Sequence, residues 1–299
     1  MYETRGIICP PDGFRIDHDK VINAWMNPSV QPDPDLAMSQ WRNIFCKFVQ
    51  CGMKVYVMGG DTGFQDQCFT ANIAHFRNGK IVLANFVGKI GRVRAREVPL
   101  FQKWIEARKQ KFNIDVVPWP EPDVAFEGQG DVVSVGHGKN SILLVGYGQG
   151  RSDREAADVL SEIHVISGKR VIPMKLICDK FYHLDTACMY IPSGSYFITD
   201  GAGFMLKRKL RHYGIEVVTV NTDEFRKSGG STRCLTFLFP KERSDNPDSG
   251  VFIYYPKAFD SVGRDVIKYK IAENFPVKLI EVNEQEAKRF VCNGVFIRK

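Results

Sequence analysis

The chain has 299 residues, 44% of them hydrophobic, enough to bury a substantial core in one large domain or two smaller ones. It opens MYETRGIICPPDGF without the apolar segment of a secretion signal, and no run approaches bilayer-spanning length, so a cytoplasmic location and no membrane partner are expected. The net charge of +7 makes no general case for nucleic acid, since the basic runs GKIGRVRAR (88–96) and LKRKLRH (206–212) lack interleaved aromatics and read as solvated faces.

In chain order, short β-type runs alternate with amphipathic stretches. The helix candidate DLAMSQWRNIFCKFVQCG precedes KVYVM and KIVLANF, and VPLFQKWIEARKQ precedes DVVSV and SILLVGY. SDREAADVLSEI then leads to HVISGKRVIPMKLI, YFIT, IEVVTV and CLTFLF; VFIYY, VKLIEV and the helix candidate EQEAKRFV complete the series. That alternation predicts an α/β fold. Only KERSDNPDSG (241–250), polar and turn-rich between two strand candidates, reads as a linker. VGYGQGRSDREAADVL imitates a dinucleotide turn, but Arg151 replaces the third glycine and Asp153 puts negative charge where a pyrophosphate would sit. It reads as an ordinary helix capped by Ser152.

Eight cysteines are scattered, with no CxxC and no Cys/His cluster at zinc spacing, so reduced thiols and no metal or other cofactor are expected. Four polar clusters interrupt apolar segments: GFQDQCFTAN (63–72), FEGQGD (126–131), FYHLDTACMY (181–190) and GGSTRCLTF (229–237). Taken singly, His183 reads as a satisfied core histidine and Cys234 as a packed thiol. Taken together they supply a thiol, an imidazole with Asp185 two residues on, and carboxylates at Asp66, Glu127 and Asp131. A Cys–His pair among acids suits nucleophilic catalysis on a cationic substrate: the acids hold the cation, and the cation lowers the thiol pKa.

CPPDGFRID, VINAWMN, QDQCFTAN, RVRAREVPLFQKW, FEGQGD, GYGQGRSD, FYHLDTACMYIP and GGSTRCLT together resemble the guanidine-modifying superfamily of amidinotransferases, arginine deiminases and dimethylarginases. The resemblance covers nearly the whole chain and implies a pentein, a five-bladed α/β propeller, as a single domain over 1–299. Within the superfamily the chain is most similar to the arginine dihydrolases, which convert arginine to ornithine, ammonia and carbon dioxide; the Asn72 that follows FTA matches them, where deiminases carry aspartate. The resemblance implies Cys234 as nucleophile, His183 as general acid/base, Glu127 and Asn72 on the guanidinium and Asp185 beside the histidine. It also implies Arg94 on the α-carboxylate and Asn23 lining the pocket; Asp66 and Asp131, from the reading of the polar clusters, are expected among the acids that hold the substrate. The partner is then a small molecule, arginine or a derivative, with a homo-oligomer left open. A deiminase or dimethylarginase that stops at citrulline is the nearest alternative, and a non-catalytic pentein that binds a macromolecule is the alternative from another class.

One feature departs from the family. There, a stretch resembling GVFIYYPKAFD…KLIEVNEQEAKRFVCNGVFI lies between the histidine and cysteine motifs; here it follows the cysteine. Exchanging 193–247 with 248–299 would restore the family order, running MYIP into DSGVFIYY and VFIRK into SGSYFIT as two hairpins.

Overall fold

The computed structural model describes residues 3–136, 141–164, 170–241 and 249–299. Its first helix shows how the pattern becomes structure. Pro34–Gln50 starts where the Asp33 side chain accepts the Leu36 N–H and proline occupies the first turn. Ala37, Trp41, Ile44 and Phe48 then recur every three or four residues and form its buried face. A strand, this helix and a parallel strand (Arg5–Ile8, Pro34–Gln50, Lys54–Val57) make one unit, and the unit recurs five times.

Each unit contributes the middle and outer strands of a three-stranded sheet, whose inner strand is antiparallel to the middle one. Arg5–Ile8 lies between Phe237–Leu238 and Lys54–Val57. Lys80–Leu83 lies between Ala74–Arg77 and Asp115–Val117, and Ile142–Tyr147 between Val132–Val135 and Val171–Lys175. Gly250–Tyr254 lies between Cys188–Pro192 and Val277–Glu281, and Ser195–Thr199 between Val295–Arg298 and Glu216–Thr219. These five small mixed sheets match the blade number that the sequence resemblance implies. Middle strands buried throughout, such as Arg5–Ile8 and Gly250–Tyr254, explain the continuous apolar runs. No helix among the described residues is long and apolar enough to cross a membrane.

The connections differ between sheets. Ala74–Arg77 runs into Lys80–Leu83, and Val132–Val135 and Ile142–Tyr147 are likewise consecutive. Cys188–Pro192, by contrast, pairs with Gly250–Tyr254 far along the chain, and Ser195–Thr199 pairs with the terminal Val295–Arg298. Their open ends meet: Ser193 N–H donates to the Ser249 carbonyl at 2.8 Å, and Lys299 N–H to the Gly194 carbonyl at 3.2 Å.

Three local expectations change. CLTFLF is a strand only at Phe237–Leu238; Cys234 lies in the preceding turn, where Leu235 N–H bonds the Ser231 carbonyl. The helix after GYGQGRSD spans Ala156–Ile163 with Glu155 at its cap, so Ser152 does not cap it. The strand expected over 164–177 is Val171–Lys175, residues 165–169 lying outside the described residues. Most of the expected linker, 242–248, also lies outside them.

Candidate active site

Cys234 is 2% exposed and is held by its backbone. Gly229 has φ +74°, and a Cβ there would lie 2.7 Å from Trp25 Cδ1; one at Gly230 would enter the Phe69 ring. Only glycine lets this turn pass so close to both aromatics. The turn delivers Cys234 to a small cavity of about 20 Å³, lined by Ile22, Asn23, Met26, Asp66, Phe69, Asn72, Arg94, Arg151, Tyr182, His183 and Cys234, with Ser228 and Gly230. Six residues singled out from sequence thus meet at one cavity, although they span more than two hundred positions. Glu127 and Asp185 stand directly behind it, bonded to His183 and Cys234 respectively.

The hydrogen bonds fix several proton positions. Arg94 can only donate, and its Nη1 reaches Asn72 Oδ1 at 3.1 Å. The Asn72 amide nitrogen therefore faces His183 Nδ1, 3.4 Å away, which must accept. The imidazole proton is then on Nε2, 2.8 Å from Glu127 Oε2. Glu127 also pairs with Arg151 at 3.2 Å. Burial would raise its carboxyl, but Arg151, His183 and Arg94 more than offset that and hold it down at about 2.

The other wall behaves differently. Cys234 Sγ lies 3.6 and 3.8 Å from the Asp185 carboxylate oxygens. Burial pushes Asp185 up to about 6, an effect that His183 and Arg233 only partly counter. Burial and then Asp185 push the Cys234 thiol well above its usual range, so the unliganded protein keeps it protonated at neutral pH.

Arg94 is not a free anchor. Its Nε and Nη2 bond the buried Glu97, Nη2 also reaches the Asp66 and Phe69 carbonyls, and the Asn72 bond takes a further N–H. Asp131 is also corrected: Oδ1 accepts from Leu184 N–H and Oδ2 from the Ser152 hydroxyl. Both oxygens are committed to positioning the His183 segment and Ser152, whose hydroxyl in turn accepts from Glu127 N–H, and Asp131 does not line the cavity. Asn23 lines it while holding its own loop, its amide donating to the Ser228 carbonyl and accepting from Trp25 and Met26 N–H. Among the described residues the buried Asp66 Oδ1 has no hydrogen-bond partner.

Arg151 is the residue that sequence reading passed over. Its guanidinium sits 4.4 Å from the Tyr182 ring centroid, donates to Glu127 and to the Ile22 carbonyl, and lines the cavity. Its presence in GYGQGRSD, one of the stretches that carry the family resemblance, was the available signal; the arginine itself was read only as the departure from a dinucleotide turn. Among the described residues no group of three or more His, Cys, Asp and Glu side chains is arranged to hold a metal ion.

No family model matches the chain. It is 27% identical to the bifunctional arginine dihydrolase/ornithine cyclodeaminase ArgZ of Synechocystis sp., over 98% of this chain but 31% of that protein. The chain thus spans about a third of that relative's length. It is 26% identical to the N(G),N(G)-dimethylarginine dimethylaminohydrolase of Mycobacterium tuberculosis, over 78% of this chain and 84% of that one. The solved N-terminal domain of cyanobacterial ArgZ bound to substrate superposes with a TM-score of 0.69 at 25% identity, covering 79% of this chain and 98% of that one. Another solved form of that domain is covalently bonded to a reaction intermediate. The chain is a distant homologue, over most of its length, of the arginine dihydrolases and dimethylarginine dimethylaminohydrolases, and it has their pentein fold.

Proposed function

We propose that this protein hydrolyses the guanidinium group of arginine through a Cys234 thioether intermediate and carries the reaction on to ornithine, as arginine dihydrolases do. The observation that carries the proposal is the convergence of Cys234, His183 and the unpartnered Asp66 oxygen on one buried cavity backed by Glu127 and Asp185. A substrate guanidinium brings positive charge to the thiol side of the cavity, where Asp185 opposes the thiolate and Arg94 and Arg151 are engaged with Glu97 and Glu127. It lowers the thiol pKa when it binds, and the proton leaves toward Asp185 or His183. The thiolate adds to the guanidinium carbon, ammonia departs with a proton from His183, and water attacks the resulting thiouronium to give citrulline. A second attack on the ureido carbon releases another ammonia and leaves a carbamoyl thioester. Its hydrolysis gives a carbamate that breaks down to ornithine and carbon dioxide. Two waters are consumed for each arginine.

For the α-carboxylate, Arg151 has more unused N–H groups than Arg94 and shares the role expected of Arg94. A cavity of about 20 Å³ is too small for a whole amino acid, so on this reading side chains of the lining shift when arginine binds. The deciding experiment is incubation with arginine and separate quantification of ornithine, citrulline and ammonia. Ornithine with two equivalents of ammonia supports the reading, citrulline alone makes the protein a deiminase, and no turnover of arginine or N-methylated arginines removes it.

We also propose that segments 193–247 and 248–299 stand in exchanged order relative to the relatives. In support, the exchange converts two distant antiparallel pairings into short hairpins, at the places where Ser193 meets Ser249 and Lys299 meets Gly194.

A further inference from the structure

Asn293 is fully buried and lies 59 residues beyond Cys234, in the segment CNGVF that carries no other polar side chain. Its side-chain oxygen accepts two backbone N–H groups, from Arg233 at 3.0 Å and Cys234 at 3.1 Å. Because backbone N–H groups only donate, the amide has one orientation, and its nitrogen faces the sulfur. Nδ2 lies 3.1 Å from Cys234 Sγ and 3.3 Å from the Asp185 carbonyl. The sulfur thus sits between a carboxylate that opposes its negative charge and an amide that favours it.

We propose that Asn293 is a catalytic residue of this site, its Nδ2–H donating to Sγ and stabilising the Cys234 thiolate during attack. The proposal rests on the reading of Cys234 as nucleophile. The charged and titratable groups facing the thiol are Asp185, the neighbouring Arg233, and His183, Arg151, Arg94, Asp66 and Tyr182 around the cavity. Asp185 acts against the thiolate; the Ser231 backbone, Asn293 and Arg233 act with it, and Asn293 is the neutral side-chain donor in contact with the sulfur. A thiolate accepting a hydrogen bond is favoured over one without it, whereas the thiol gains little from the same donor.

Asn293→Asp keeps an oxygen for both backbone N–H groups, loses the donor to sulfur and adds a negative charge beside it, so the neutral Asn293→Ser is needed to separate the lost hydrogen bond from the added charge. The readout is the pH dependence of Cys234 alkylation by iodoacetamide, followed by mass spectrometry of the Cys234 peptide so that exposed Cys46 does not contribute. The expected result is an upward shift of the alkylation midpoint by roughly one to two pH units. With arginine, kcat should fall roughly ten- to hundredfold with KM little changed. Asn293→Ser, neutral and too short to reach Sγ, should shift the midpoint in the same direction by less and serves if the aspartate variant does not fold. A wild-type alkylation profile in whichever variant folds would overturn the proposal. Alkylation needs no substrate, so this result stands apart from whether arginine is hydrolysed.

Discussion

Glu127 and Asp185 are both buried carboxyls directly behind the reacting groups, and their surroundings push them in opposite directions. Glu127 faces Arg151, receives the His183 Nε2–H and is held at about 2, below its ordinary 4.5. Asp185 faces a thiol, makes no ion pair among the described residues and is raised to about 6 from 3.8. One wall is thus a satisfied charge network that orients the imidazole. The other holds an excess of negative potential that only an incoming cation relieves. On the proposed reading, the paired wall supplies stability and the wall behind the thiol supplies reactivity.

The largest effect should come from the wall behind the thiol. Cys234→Ser keeps the volume and the Asn293 contact but replaces the thiol by a far weaker nucleophile, so turnover should fall at least about a thousandfold. The thermal midpoint should stay near wild type. Retention of most activity would show that the sulfur is not the attacking atom.

Removing one charge from each wall should move stability in opposite directions. Glu127→Gln leaves Arg151 buried without its partner and should cost about 3–5 kcal/mol in denaturant unfolding at pH 7. Because the Glu127 pKa is depressed on folding, its contribution is present above about pH 4.5 and lost as pH falls toward about 2. The Asp185 pKa is raised, so between about 4 and 6 the folded state holds a proton that the unfolded state has released, and stability falls as pH rises through that window. Asp185→Asn should therefore stabilise the fold at pH 8, on the order of 2 kcal/mol, and hardly at all at pH 4. The same sign of change for both variants at pH 8 would erase the contrast between the walls.

Asn72 lies where the walls meet, between Arg94 and His183 Nδ1. Asn72→Asp adds a carboxylate that favours a guanidinium over a neutral ureido group, an effect of order 1–3 kcal/mol in a desolvated pocket. The product ratio should move roughly ten- to hundredfold from ornithine toward citrulline while arginine consumption continues. An unchanged ratio in a folded, active variant would remove Asn72 from product control.

The fold was legible where elements are long and periodic. The helix Pro34–Gln50 and the runs KIVLANF, SILLVGY and VFIYY announce themselves by period or by continuous burial. The short strands were not all visible: the inner AHFR and the middle RGII, four residues each, are too short to show a period, and the inner CLTFLF pairs over only two residues because the Cys234 turn uses the rest. The site divided along similar lines. Cys234, His183 and Glu127 stand out as polar residues in apolar runs, where burial without a partner is costly. Arg151 and Asn293 do not, since their importance lies in contacts across the chain, to the Ile22 carbonyl and to Cys234 Sγ. Asp131 looked like Glu127 in sequence, and only the positions of Ser152 and Leu184 show that both its oxygens are already bonded away from the cavity.

The smallest equilibrium effect should come from the order of the chain itself. The wall behind the thiol is assembled across the unusual connections: Asn293 comes from the last segment, Cys234 from the one before it, and Asp185 from the blade ahead of both, whereas Glu127, Arg151 and His183 all precede them. If assembly depends on packing and not on connectivity, a gene encoding 1–192, 248–299 and 193–247 in that order should give the same sheets and the same site. Loop-closure entropy varies only with the logarithm of loop length, so unfolding free energy should change by no more than about 2 kcal/mol, and turnover of arginine should be unaltered. Kinetics should respond more. Pairing Cys188–Pro192 with Gly250–Tyr254, and Val295–Arg298 with Ser195–Thr199, becomes local in the reordered chain, which lowers contact order and should speed refolding in a stopped-flow experiment. A reordered protein that is folded but inactive would show that the connections themselves hold Asn293 against the thiol. A slower-folding one would mean that the long-range pairings form late in either order and that the short link at Ser193–Gly194 guides assembly in the natural chain.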